Sequence, residues 1–208
     1  MTIDRAGFPF IAGAAAIGIV VGVTTTWWLG FPLFVLAAFC VFFFRDPHRA
    51  VTSGDDVVLS PADGRVLIAG EAVVEAAPEG AWRQVSIFLS PMDVHVNRVP
   101  ASGRITRVTY TPGRFLPAYR HDAGARNERS EIWIDHRGQT VVARQIVGFL
   151  ARRVVCRLKM GTDVQAGDRY GIMKFGSRMD VFLPVTADIR VQVGDVVRGG
   201  QTVIAVLH

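Results

Sequence analysis

Cysteine is nearly absent from this chain. Its 208 residues include only two, Cys40 and Cys156, too few for a disulfide framework and without the paired spacing of a thiolate metal site. No metal is expected. Charge is almost missing from residues 1–44, where Asp4 and Arg5 are the sole ionised side chains. Lys and Arg outnumber Asp and Glu by 23 to 18, a net charge of +5, and the whole excess falls on residues 45–208. There is no Lys/Arg run interleaved with aromatics, so nucleic acid is not the expected partner. A basic region beside an apolar segment favours an anionic lipid surface instead.

The apolar segment has two stretches, Phe8 to Val23 and Trp27 to Phe44, separated by Thr24, Thr25 and Thr26. Each is close to the roughly 20 residues that cross a hydrocarbon core as a helix. The expectation is a helical hairpin, either transmembrane or re-entrant, since Pro9, Gly30 and Pro32 weaken both segments. Trp27 and Trp28 suit the far interface. Arg5 precedes the first stretch and Arg45, His48 and Arg49 follow the second. By the positive-inside rule both ends face the cytoplasm, which places the remainder of the chain on the cytoplasmic side of the inner cell membrane. A cleaved signal peptide is excluded by length, because the apolar region runs on into a second segment.

After residue 44 long amphipathic helices are lacking; the best helical candidate is the short stretch 148–153. Alternating or continuous apolar runs bounded by Gly, Pro and Asp predict a mainly β domain (α+β at most) over residues 45–208. Val164-Gln165-Ala166-Gly167-Asp168 recurs as Val191-Gln192-Val193-Gly194-Asp195. Gly followed by Asp is tight-turn chemistry, and paired hairpins of this kind resemble the barrel-sandwich hybrid. No Lys stands at a hairpin tip between Met residues, so a biotin- or lipoate-carrier role is not expected.

The most informative stretch is Gly171 to Asp180, which contains Gly176-Ser177. A serine hydroxyl can attack the preceding carbonyl if the peptide is held in a strained geometry. The ester that forms can eliminate to dehydroalanine, whose hydrolysis releases ammonia and leaves a pyruvoyl group. FGSRMD, together with PADG (Pro61 to Gly64), SPMDVHVNRVP (Ser90 to Pro100) and FFRDPHR (Phe43 to Arg49), resembles the phosphatidylserine decarboxylases, in particular their short form. The resemblance runs from about Phe43 to the C-terminus, with four motifs in the family's order.

That resemblance implies self-cleavage between Gly176 and Ser177 into residues 1–176 and 177–208, which remain associated. It implies a covalent pyruvoyl cofactor made from Ser177 that forms a Schiff base with phosphatidylserine in an anionic membrane, releasing CO2 and phosphatidylethanolamine. It also implies Asp63, His95 and Ser177 as a serine-protease-like set for maturation. The chain departs from longer members in one respect. They carry two histidines three residues apart, and the second position here is Arg98, so His95 serves both steps or another group supplies one proton. Arg98 and Arg178 are the leading candidates to hold the phosphodiester and carboxylate of the substrate. The polar, proline-containing stretch Thr111 to Arg129 reads as a loop over the site, with Phe115, Leu116 and Tyr119 able to meet headgroups. A homo-oligomer is compatible with all of this. The rival readings are a pyruvoyl decarboxylase of soluble amino acids, a membrane-tethered adaptor and a membrane serine peptidase; intact Ser177 in the purified protein would favour the last two.

Overall fold

A computed structural model describes residues 1–149, 154–174 and 177–208 of the chain. Two compact units divide between His48 and Arg49.

The first unit is a pair of apolar helices, α1 (Phe8–Thr24) and α2 (Trp27–Phe43). Pro9 stands in the first turn of α1, where its missing N–H leaves no hydrogen bond broken. Pro32 lies inside α2. With the preceding 3-10 turn, α1 forms a 20-residue helix, Arg5–Thr24, long and apolar enough to cross a membrane; Trp27–Phe43 is shorter. Apolar side chains cover these helices on the outside as well, with Ile19, Val20, Phe31 and Val35 exposed, the pattern of helices that do not face water. The two ends of the pair meet. Thr2–Ile3 runs antiparallel to Arg45–Asp46, and the Asp4 amide donates to the Phe44 carbonyl at 2.8 Å.

The second unit is mainly β, as expected. Six long strands build its principal sheet: β1 (Gly64–Glu71), β2 (Arg83–Leu89), β3 (Gly103–Thr111), β4 (Arg129–His136), β5 (Gln139–Val147) and β6 (Ser177–Leu183). Their antiparallel order is β3-β4-β5-β6-β2-β1, with Asp163–Val164 beside β3 and Val196–Val197 beside β1. Strand β6 lies between β5 and β2, and all seven of its residues are buried. Its side chains alternate between faces. Met179, Val181 and Leu183 join Val85, Ile87 and Ala143 in the apolar core, while Arg178, Asp180 and Phe182 lie on the other face. Each large aliphatic side chain buried here stabilises the fold by roughly 1.5–3 kcal/mol.

Two three-stranded sheets complete the unit. One orders Val154–Cys156, Arg169–Met173 and Val96–Arg98; the other orders Asp188–Ile189, Val203–Val206 and Val57–Leu59. The sequence repeat is one turn used twice. Asp168 accepts from the Gln165 amide at 2.8 Å and Asp195 from the Gln192 amide at 2.9 Å, with the intervening Gly167 and Gly194 at φ of 89° and 100°. Leu150 to Arg153, most of the predicted helical stretch, lies outside the described residues. Among those described, the helix of this unit is Ala123–Arg126.

Candidate active site

The strand Arg169–Met173 belongs to a small sheet and β6 to the principal one, so the chain passes from one sheet to the other between Met173 and Ser177. The predicted cleavage site falls within that interval of the sequence. Gly176 lies outside the described residues. Ser177 opens β6, directly opposite Val147 of β5 and Leu89 of β2. Its hydroxyl is fully buried and has no hydrogen-bond partner among the described residues. An unpaired buried hydroxyl is costly, about 1–3 kcal/mol, and such atoms in a native fold call for an explanation.

His95 is brought to the same passage by its backbone. The segment ahead of Val96–Arg98 continues alongside Arg169–Met173, and the Met173 amide donates to the His95 carbonyl at 3.3 Å. His95 is buried, with Nδ1 3.0 Å from the Asp93 carbonyl oxygen. A carbonyl only accepts, so Nδ1 carries the proton and Nε2 is the basic nitrogen of the neutral ring. The group that sets the tautomer is thus a backbone carbonyl two residues away.

Asp63 makes different contacts from those expected of it. Its carboxylate is paired with both arms of Arg49, with Arg49 Nη2 to Asp63 Oδ2 at 2.6 Å, and accepts from the Gly199 amide at 2.8 Å. The turn that carries it is tied to the histidine strand by a main-chain bond, Arg98 N–H to the Pro61 carbonyl at 2.8 Å. Gly64 closes this turn at φ 150°, where any Cβ would meet the Phe88 carbonyl.

The two arginines expected at the headgroup lie away from the serine. Arg178 follows Ser177 on the strand and so projects from the opposite face. There it is buried against Asp180 (Nε to Oδ1, 2.6 Å; Nη2 to Oδ2, 3.0 Å) and donates to Ser86 Oγ at 3.0 Å. Gln84 Nε2 bridges Ser86 Oγ at 2.9 Å and Asp180 at 3.2 Å. Arg98 likewise alternates away from its neighbour Asn97. It lines a cavity of about 800 Å³ together with Thr52, Ser53, Leu158, Gln165 and Arg169, and it donates to the Gly167 carbonyl at 3.0 Å.

The fold adds residues that the motifs do not reveal. His95 and Asn97 share one face of their strand, and Asn97 Oδ1 accepts from Gln145 Nε2 of β5 at 2.8 Å. Gln145 stands opposite Met179, one alternation along from Ser177 on the same face. The pair is fully buried, yet Asn97 Nδ2 and Gln145 Oε1 have no partner. Exchanging O and N in both amides leaves the balance unchanged, so one donor and one acceptor remain available in either assignment. Gly171 makes room for them, because a Cβ there would lie 3.0 Å from Gln145 Nε2 and against the Val155 carbonyl. The sequence signal was slight: an Asn two residues after His95.

Asn127 also acquires a role. It is buried, its Oδ1 accepts from the Leu116 amide at 3.0 Å, and its Nδ2 donates to the Leu116 and Val147 carbonyls, both at 2.8 Å. It therefore pins the loop 112–127 to the residue paired with Ser177. Burial pushes the Cys156 thiol above its ordinary pKa. The buried Tyr170 hydroxyl is raised well above its usual value, first by desolvation and then by Cys156 and Glu131, so it stays a neutral donor.

Fold and site together define a class: a mainly β enzyme domain preceded by an apolar helical unit, with a buried serine at a sheet-to-sheet passage. Residues 36–205 match the family described as phosphatidylserine decarboxylase, and the chain belongs to that family. It is 39% identical over 207 residues to a phosphatidylserine decarboxylase proenzyme of Cupriavidus taiwanensis, covering 99% of this chain and 95% of the relative. It is also 39% identical over 204 residues to a phosphatidylserine decarboxylase proenzyme of Magnetococcus marinus, covering 96% and 93%.

Proposed function

We propose that this chain is a proenzyme that cuts itself between Gly176 and Ser177 and then decarboxylates phosphatidylserine with a pyruvoyl group formed from Ser177. The observation that carries this reading is the buried, unpartnered Ser177 hydroxyl at the head of the central strand. It is reinforced by the backbone bond that sets His95 beside Met173, four residues earlier. His95 Nε2 takes the hydroxyl proton as Oγ bonds to the Gly176 carbonyl carbon. The Gly176–Ser177 C–N bond then breaks, and the nitrogen leaves with a proton as the free amine of residue 177. Loss of the Cα proton expels the Gly176 carboxylate and leaves a double bond at residue 177. Tautomerisation and addition of water release ammonia. The spare donor of the Asn97–Gln145 pair offers a hydrogen bond to oxygen that gains negative charge during these steps.

The interior around residue 177 suits the group. The site offers unpaired polar atoms, a histidine and no opposing charge on that face of β6. A pyruvoyl group supplies a ketone for the substrate amine and an adjoining carbonyl that withdraws electrons as CO2 departs. His95 then returns a proton to the substrate carbon, which makes one histidine sufficient for both stages. Asp63 acts as a positioning residue, holding the turn 61–64 against the histidine strand with Arg49 as its counter-ion. Arg98 anchors the turns around Pro61 and Gly167, and Arg178 fixes the start of β6 through Asp180. Residues 1–44 anchor the chain in the membrane, and the paired ends of the hairpin, Thr2–Ile3 with Arg45–Asp46, fit an arrangement with both ends on the cytoplasmic side.

Intact-mass analysis of the detergent-purified protein tests the reading. The wild type is expected to yield a 32-residue fragment, 177–208, blocked at its N-terminus by a ketone. Ser177→Ala stays uncut, His95→Ala matures at least about 100-fold more slowly, and Asp63→Asn is slowed less than His95→Ala. A wild type recovered as one uncut chain refutes the proposal.

A further inference from the structure

The register places several loops at one end of the principal sheet. Strand β6 begins there with Ser177, opposite the last residues of β5 (Val147) and β2 (Leu89). Strand β3 ends there as well, since Thr111 pairs with Arg129 and Arg129 with Ile146. Three segments emerge from this end beside residue 177: the turn 90–95 after β2, the loop 112–127 after β3, and the chain leaving β5 at Gly148.

These segments carry exposed apolar side chains. Phe149 is 68% exposed, Tyr119 63%, Met92 57% and Phe115 37%. Tyr110, the penultimate residue of β3, is 61% exposed. Among the described residues of the second unit, every exposed Phe, Tyr or Trp belongs to this end of the sheet. Away from it, exposed apolar residues such as Val74, Met160 and Val185 are not aromatic. Aromatic side chains on an otherwise polar rim are the signature of a membrane–water interface. The rim is also cationic, since the loop 112–127 bears exposed Arg114, Arg120 and Arg126 against the single carboxylate Asp122. It is held in place, too. Asn127 bonds it to Leu116 and Val147, and Tyr119 packs edge-on against Phe88 at 6.0 Å between ring centres.

We propose that Met92, Phe115, Tyr119 and Phe149 form a docking rim that seats the Ser177 end of the sheet on an anionic bilayer. The inference rests on the reading of residue 177 as the reacting centre. The reacting carbon of phosphatidylserine is one phosphodiester away from the glycerol, so the bilayer surface must come within a headgroup's length of residue 177. The aromatic end of the sheet offers a surface suited to that approach. The rim contributes to capture of lipid in a bilayer and leaves the chemistry itself unaffected.

The test compares two substrates for the full chain. One is phosphatidylserine in phosphatidylcholine vesicles; the other is dihexanoyl phosphatidylserine dispersed as monomers. For M92S/F115S/Y119S/F149S, kcat/KM on vesicles is expected to fall about tenfold or more, with self-cleavage and turnover of the monomeric substrate unchanged. The double variant M92S/F149S, whose side chains are mostly in solvent, carries the test if the fourfold variant fails to fold; about threefold is expected there. An unchanged ratio between the two substrates overturns the proposal, as does an equal loss on both. Absence of self-cleavage in the wild type would instead overturn the reading of Ser177, so the two failures are distinguishable.

Discussion

The two faces of strand β6 are built from similar materials and treated oppositely. Around Arg178 and Asp180, charged and polar groups close upon one another: the ion pair is bidentate, Ser86 and Gln84 complete it, and Arg144 is paired with Glu131 at 2.5 Å, although further along this face, on β4, Arg129 Nε and Trp133 Nε1 are buried without a partner among the described residues. On the face of Ser177, three buried groups keep unused hydrogen-bonding capacity: Ser177 Oγ, Asn97 Nδ2 and Gln145 Oε1. Burying polar atoms is tolerable when they are paired and costly when they are not. The Arg178–Asp180 network fixes the strand, and the Ser177 face holds the groups that the proposed self-cleavage would use. Sequence neighbours one residue apart, Ser177 and Arg178, fall on opposite sides of this division because a strand alternates its side chains.

The largest effect is expected around Arg178. Asp180→Leu strands a buried guanidinium and is expected to cost about 3–5 kcal/mol, read by urea denaturation of the uncut Ser177→Ala background. The double replacement R178M/D180L should recover most of that loss, since removing both charges spares the desolvation. If the single variant is as stable as the parent, the network is not structural. On the open face the sign of the trade-off differs. Asn97→Leu removes one under-satisfied amide but takes the acceptor from buried Gln145 Nε2, so it should cost about 1–3 kcal/mol. Self-cleavage, followed by gel or mass over time, should slow by roughly 10- to 100-fold. A variant that matures at the wild-type rate would return the Asn97–Gln145 pair to plain packing. The most local effect is expected at the loop. Asn127→Ala unties Leu116 from Val147 and should cost about 1–3 kcal/mol, visible as faster amide exchange confined to residues 112–127. Exchange that rises across the whole domain would show that Asn127 supports the core instead.

Much of the architecture was legible without coordinates. The two apolar stretches, the β character of residues 45–208 and the doubled Gly-Asp turn are all local patterns: hydrophobic period, turn residues and charge segregation. Membership of the family was legible through four motifs in its order, and the match over residues 36–205 agrees; the same motifs singled out Ser177 and His95. Asp63 was legible as a residue of interest but not in its contacts. Nothing in the PADG motif indicates that Arg49 and the Gly199 amide meet its carboxylate, because those partners come from segments 14 and 136 residues away. The headgroup reading of Arg98 and Arg178 drew on charge and proximity in sequence, and charge alone does not say which face a side chain takes. Gln145 carried no signal at all, being one residue in an alternating strand.

Local choices follow from the order of residues alone: where helices and strands form, which turns tighten, and which short motifs are present. The pairing of distant segments emerges with the three-dimensional fold. It set the passage of the chain from one sheet to the other between Met173 and Ser177, the register that puts Ser177 opposite Val147 and Leu89, and the gathering of aromatic loops at that same end. The physical reason is that periodicity fixes which way a side chain points relative to its own strand, whereas its neighbours depend on which strands pair and in what register.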